Sequence, residues 1–241
     1  MTSAVYVSMS KQMVLRKQME AIAQNLANIT PPAFKNERVT FKEHLMPGPD
    51  GDMVSYVAED KVQRDMTPGS YSNTGNDLDI AISGPGWFVI EADEGEFYTR
   101  RGHLRLDEDR TLVASSGEPI LSDDDSEITL EEGDGVISIS KDGTVSAESG
   151  ILGRIKVVTF ENESILQKAA SGRFTSTEEP TELKAEETRL QQGVLESSNV
   201  NPILEMTRMI DVLRSYQSTQ KLSKTDHDLQ RRALREIAAV N

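Results

Sequence analysis

His44, His103 and His227 are the only histidines, and no two of them share a metal-binding spacing. An HxH or HxxxH pair would put two imidazoles on one face of a strand or helix; scattered as they are, each reads as a surface residue. Asp123, Asp124, Asp125 and Glu127 form the densest carboxylate cluster. The cluster lacks the alternating ligand spacing and mid-loop glycine of a calcium loop, so it reads as a solvated turn. Gly84-Pro85-Gly86 has the glycine content of a phosphate cradle, but a cradle must open a helix whose N-terminus faces the anion. Here the strand-like run WFVIE follows, which makes the glycines a turn and Trp87 a core residue behind it. No serine sits in a Gly-x-Ser-x-Gly elbow, and no histidine is placed for a triad. Carboxylates are plentiful enough for glycosidase chemistry, yet no spacing singles out two of them, and aromatics are only 5% of the chain. The sequence therefore points to no catalytic, cofactor-binding or metal-ligating residue: not an enzyme, and no cofactor.

What the sequence does specify is two helices with narrow apolar stripes, one at each end. Leu15, Met19, Ile22, Leu26 and Ile29 follow one another at alternating spacings of four and three, the mark of a helix with one apolar seam. Thr30-Pro31-Pro32 ends that helix, because a residue before proline is pushed out of the α region. At the other end Met206, Met209, Leu213, Tyr216 and Gln220 alternate in threes and fours, with Ile203 and Ile210 widening the stripe, a heptad seam. Asn201 supplies a capping oxygen and Pro202 the fixed φ of a first helical turn. No glycine or proline follows as far as Asn241, which predicts a helix roughly 55 Å long at 1.5 Å per residue. After Gln220 the pattern resumes with Leu222, Leu229, Ala233 and Ile237 on a shifted face. Two faces imply two sets of neighbours.

Between the helices the period falls to two. Short runs such as LDIAI, WFVIE, EFYTRRGHLRL, TLVASS, VISIS, TVSAE and GRIKVVTF are separated by Gly and Asp turns, the pattern of an antiparallel β-domain. Residues 47–65 read as loop or edge strands. The expected architecture is α+β. An antiparallel β-domain over residues 34–193 is inserted between N- and C-terminal helices (1–33 and 194–241) that form a coiled-coil-like helical layer.

Composition narrows the partners. A net charge of −14, from 40 acidic against 26 basic residues, repels a phosphate backbone and makes nucleic acid a poor partner. The acids gather in the middle, at Asp123–Asp125, Glu127, Glu131, Glu132 and Glu178–Glu187, whereas Arg231, Arg232 and Arg235 mark a more basic end. With no cysteine, disulfides, thiol nucleophiles and zinc–thiolate sites are all ruled out. No apolar run approaches the ~20 residues that span a bilayer, so no direct membrane insertion is expected. The start, MTSAVYVSMSKQM, lacks a basic segment followed by a long apolar one, so no cleavable signal is expected.

Three segments carry a family resemblance. AIAQNLANITPPAFKNERVTF resembles the N-terminal signature of the flagellar rod and hook axial proteins, with its Ala-Asn-Asn-x-Ala-Asn core and Thr-x-Gly-Phe-Lys. LDIAISGPGWFVIEADEGEFYTRRGHLRLDEDRTLVASSGEPIL resembles their central motif, Leu-Asp-x-Ala-Ile-x-Gly-x-Gly-Phe-Phe with Tyr-Thr-Arg-x-Gly following. QGVLESSNVNPILEMTRMIDVLRSYQSTQKL resembles their C-terminal signature, in which Gly-x-Leu-Glu-x-Ser-Asn-Val precedes Met-Ile and Arg-x-Tyr. The matches are ordered and cover most of the chain. The chain departs from the pattern in four places: Gln24 stands for Asn, Pro32-Ala33 for the Gly before Phe34-Lys35, Trp87 for Phe, and Arg110 for the glycine of the Asp-rich turn.

The resemblance implies a structural subunit of the basal-body rod, of the proximal type, with the distal rod or hook type as the near alternative. It implies unfolded export by the flagellar type III apparatus without a cleaved signal, a place in the periplasmic basal body, and partnership with itself and other rod proteins. Terminal helices of many subunits would then pack as a tube with the β-domain outside. The residues expected at that assembly interface are Leu15, Met19, Ile22, Asn25, Leu26 and Asn28 in the first helix, and Met206, Met209, Ile210, Leu213, Tyr216 and Gln220 in the last. Ser198, Asn199 and Val200 are expected to set how the chain re-enters the helical layer, and the amides of Asn25 and Asn28 to bond across chains. The rival from another class is a β-domain that binds a ligand or sugar and carries a coiled-coil stalk.

Overall fold

A computed structural model describes residues 3–47 and 53–240. It opens with helix α1 (Ser3–Ala27) and closes with helix α2 (Pro202–Val240). All strand pairings among the described residues lie between them and are antiparallel. The fold is α+β.

Contacts divide the chain into two units. The first gathers residues 1–29, 36–65 and 200–241. Strands β1 (Glu37–Pro47) and β2 (Met53–Arg64) form a hairpin in this unit, with a register shift between Thr40 and Phe41. The hairpin and α2 both pack against α1. This departs from the boundary at residue 34 expected from sequence: residues 36–65 belong with the helices. Their two-residue periodicity is real, but a strand pattern does not say which helix or sheet receives it. α1 and α2 run antiparallel, since Asn25 meets Glu205 while Gln12 lies in one groove with His227.

The second unit comprises residues 30–35 and 66–199. Here β3 (Tyr71–Asn73), β4 (Ile80–Ile82), β5 (Trp87–Ala92) and β6 (Gly95–Thr99) are followed by shorter strands. β5 and β6 lie at the centre of a six-stranded sheet, flanked by Val157–Thr159 on one side and Phe174–Thr175 on the other. β4 and β3 pair instead with Leu190–Gln192 and Val194–Glu196. One core collects Ile80, Phe88, Ile90, Leu112, Ile120, Ile155 and Leu190; a second holds Trp87, Tyr98, Leu166 and Phe174. Residues 194–199 therefore belong to this unit, not with α2 as the sequence division had them.

Candidate functional site

In the second unit, three segments remote in sequence deliver three charged side chains to one buried point. Lys35 follows the proline turn after α1, Arg100 follows β6, and Glu196 ends the strand Val194–Glu196. The Glu196 carboxylate accepts from Lys35 Nζ at 2.8 Å, from Arg100 Nε at 3.0 Å and from the Gly69 amide at 3.2 Å. All three charged side chains are buried. A buried carboxylate left alone would cost several kcal/mol, and such groups persist only where partners and hydrogen bonds meet them. The cations are also met by carbonyls: Lys35 Nζ donates to Thr67 at 3.0 Å, and Arg100 Nη1 to Gly84 and Gly86 at 3.0 and 2.7 Å. The glycine turn thus presents oxygens to a cation rather than N–H groups to an anion. Burial pushes the Lys35 ammonium below the ordinary lysine range, against the opposing pull of Glu196.

Backbone bonds tighten the same junction. Ala33 N–H donates to the Glu196 carbonyl at 2.8 Å, Ser197 N–H to Ser70 at 2.8 Å, and Asn199 N–H to Phe34 at 3.2 Å. A side chain on Gly69 would place its Cβ 2.0 Å from the Ser197 carbonyl oxygen, so only glycine permits the approach. Ala33 and Arg110 stand where the resemblance has glycine, and both adopt positive φ, 56° and 63°. The motif's glycines are explained by that conformation, which residues with a Cβ adopt at a cost.

A second polar node lies in the helical unit. Glu205, buried in the first turn of α2, accepts from Asn25 Nδ2 at 3.3 Å, from Asn36 Nδ2 at 3.4 Å and from Arg208. Asn25 also brackets the backbone of Glu37, donating to its carbonyl at 2.8 Å and accepting from its N–H at 2.9 Å. The expected bond of Asn25 across chains gives way to one within the chain, because the turn after α1 brings β1 back over the helix end. Asn28 likewise donates locally, to the Gln24 carbonyl at 2.8 Å. Asn201 caps α2 as expected, accepting from Ile203 N–H at 3.1 Å.

The helices sort the remaining interface residues by face. On α1, Leu15 and Ile22 are buried and Met19 and Leu26 half-buried. On α2 the face toward α1 runs Glu205, Met209, Val212, Tyr216, Thr219, Ser223, spaced by fours and threes, with Glu205 and Thr219 its most buried members. Met206, Ile210 and Leu213 lie on another face and are 55, 49 and 43% exposed, with Ile203 at 74%. Gln220 is exposed as well, so the single stripe read from sequence is split between two faces. Leu222 and Leu229 are also exposed; the side chains of Ala233 and Ile237, like that of His44, lie outside the described residues. Ser198 and Asn199 are half-buried and Val200 is buried. The amide of Asn199 donates to the Thr67 carbonyl at 2.9 Å, so it serves the junction inside the second unit.

Asp123 pairs with Arg154, Asp125 with Lys156, and Asp124 accepts from Ser122 and Ser126, whose hydroxyls hold its carboxyl below the usual range. His103, read from sequence as a surface residue, is exposed, and its Nδ1 bonds to buried Asp79, 24 positions away and brought opposite by a β-bridge. No group of three potential metal ligands is present among the described residues, and among them no helix is long and apolar enough to cross a membrane. Trp87 is buried and donates through Nε1 to Glu163 at 3.1 Å.

Lys35, Arg100 and Glu196 are charged positions in three motifs: the Lys after Phe34, the Arg after Tyr98-Thr99, and the Glu after Leu195. The last two fall within segments that match family models. Residues 191–236 match the family model for the flagellar basal body rod FlgEFG protein C-terminal region, and residues 81–147 the FlgE/F/G D1 domain of the flagellar hook protein. A flagellar basal-body rod protein FlgF from Caulobacter vibrioides is 34% identical over the whole of both chains. The chain belongs to the flagellar basal-body rod protein family. A FlgF from Mesorhizobium japonicum is 33% identical over 93% of each chain, and a FlgG from Bacillus subtilis 29% identical over 95% of this rod protein and 97% of its own length. The rod-protein motifs, far apart in sequence, thus share one buried ionic cluster.

Proposed function

We propose that this protein is a structural subunit of the proximal rod, joining copies of itself and other axial proteins into the shaft that transmits torque, and that it performs no reaction. The observation that carries this reading is the second face of α2. Ile203, Met206, Ile210 and Leu213 form an apolar row that α1 leaves uncovered, while the face that α1 does cover mixes Met209, Val212 and Tyr216 with the polar Glu205, Thr219 and Ser223. A helix that gives its better apolar face to solvent in the single chain is built to meet another chain. In the rod these helices form a coiled-coil-like layer with those of neighbouring subunits, and the β-rich segment is inserted between them in sequence. The subunit reaches the periplasmic basal body through the type III export apparatus, with no cleaved signal. The proximal assignment is supported by FlgF relatives at 31–34% identity against 29% for a FlgG. Electron microscopy of basal bodies from cells lacking this chain tests the proposal: the rod should be missing or cut short and motility lost, and a complete rod with normal swimming would refute it.

A further inference from the structure

A pocket of 260 Å³ opens in the helical unit beside Glu205. Ala21 and Ile22 of α1, Val39 of β1 and Val212 of α2 supply its apolar lining, with Glu37 and Arg38 at its edge. Small-molecule sites occupy roughly 300–1,000 Å³ and orient their ligands with convergent polar groups. This pocket is smaller, and its carboxylates already have partners: Glu205 has Asn25, Asn36 and Arg208, and Glu37 has Arg64, with Gln18 and Arg38 as the other polar lining. It suits one aliphatic side chain.

The chain itself displays such side chains. Met206, Ile210 and Leu213 stand on α2 about a third of a turn round from the row that includes Glu205 and Val212. The helix that bears them also forms a wall of the pocket, so they cannot turn back into their own. Resting on the rod-subunit reading, we infer that the pocket is the receiving half of a subunit contact and is filled by one of these side chains from a second copy. A contact between two different faces is heterologous: each copy that fills a pocket leaves its own open for the next. Unless the rotation closes a ring, the result is a filament.

The chain has no cysteine, so introduced thiols report without background. Cells would co-express one tagged copy carrying Val39→Cys and another carrying Met206→Cys, Ile210→Cys or Leu213→Cys. Basal bodies would be isolated after mild oxidation. Disulfides form only where Cβ atoms come within about 3.5–4.5 Å. At least one of the three pairings should cross-link at least tenfold more than a Val39→Cys and Asp211→Cys pairing. Ala21→Leu, which fills the pocket with a good helix former, should abolish incorporation while the purified monomer melts as the native protein does. If basal bodies contain the chain but no pairing cross-links, or if Ala21→Leu incorporates normally, the pocket inference fails and the rod reading stands. Cross-links only to a different axial protein overturn the second-copy assignment. If the chain is absent from basal bodies altogether, the rod reading fails and the inference with it.

Discussion

The Lys35 ammonium lies 2.8 Å from the Glu196 carboxylate, 161 positions further along the chain, with both side chains closed off from water. Arg100 shares that carboxylate. The junction that returns the chain from α1 to the β-rich unit is therefore held by charge as well as by packing, and the charges come from segments that find one another only when the unit is complete.

Removing the shared anion should be the most damaging single change at this point. Glu196→Gln leaves two buried cations facing a neutral amide, and breaking a buried ion pair costs about 3–5 kcal/mol. Denaturant unfolding of the purified chain should show that loss, whereas Lys35→Met, which leaves Glu196 with Arg100, should lose less. Equal, small losses for the two variants would contradict the shared arrangement.

The same burial predicts a pH dependence. Lys35 is held below its ordinary value of 10.5, first by desolvation, with Glu196 opposing. Between the lowered folded-state value and 10.5 the unfolded chain binds more protons than the folded one, so stability owed to this group rises with pH across that window and is least below it. The native protein should gain on Lys35→Met as pH is raised from neutrality toward 10.5; a flat difference would be the contrary result.

Ala33 occupies a left-handed conformation with φ 56°. Glycine adopts that region freely, whereas an L-residue bears a strain of about 1–2 kcal/mol there. Glycine also loses more entropy on folding, so Ala33→Gly should stabilise by about 0.5–1 kcal/mol, seen as a higher denaturation midpoint at unchanged slope.

Gly69 is the opposite case. Ala at this position would press its Cβ to 2.0 Å from the Ser197 carbonyl and shift the amide that donates to Glu196. Overpacking against backbone costs about 1–3 kcal/mol or more, and loss of protection at the Ser197 amide in hydrogen exchange would locate the damage.

On the exposed face of α2 the expectation separates folding from association. Ile210→Gln should change monomer stability by no more than about 0.5 kcal/mol, as surface substitutions do, yet reduce incorporation into basal bodies sharply. A variant that incorporates normally would remove this face from the interface.

How much of this was readable in the sequence follows from what each element packs against. α1 was legible because Leu15 and Ile22, apolar at helical spacing, are the residues it buries. α2 was legible as a helix, with its Asn201 cap, but its in-chain face only in part. Met209 and Tyr216 of the sequence stripe do lie on that face, but Glu205, Thr219 and Ser223 complete it with polar side chains that no hydrophobic period reveals, while Met206, Ile210 and Leu213 of the same apolar pattern lie open. The ionic cluster has no spacing signal at all, since Lys35, Arg100 and Glu196 meet only through the fold. The available signal lay in the motifs: Lys35, Arg100 and Glu196 each fall within one of the three resembling segments. The glycines replaced at Ala33 and Arg110 were a further sign, because both positions need positive φ.

The seam between α1 and α2 is of mixed polarity. Beside Met209, Val212 and Tyr216, the face that α2 turns to α1 carries Glu205, Thr219 and Ser223, so a lone subunit gains less from holding the helices together than a wholly apolar seam would give. The proposed rod contact adds to that gain by covering Ile203, Met206, Ile210 and Leu213. It predicts a thermal midpoint of the helical unit that rises with subunit concentration, as for any fold whose partner is supplied by mass action, while that of the β-rich unit, with its own closed core, stays fixed.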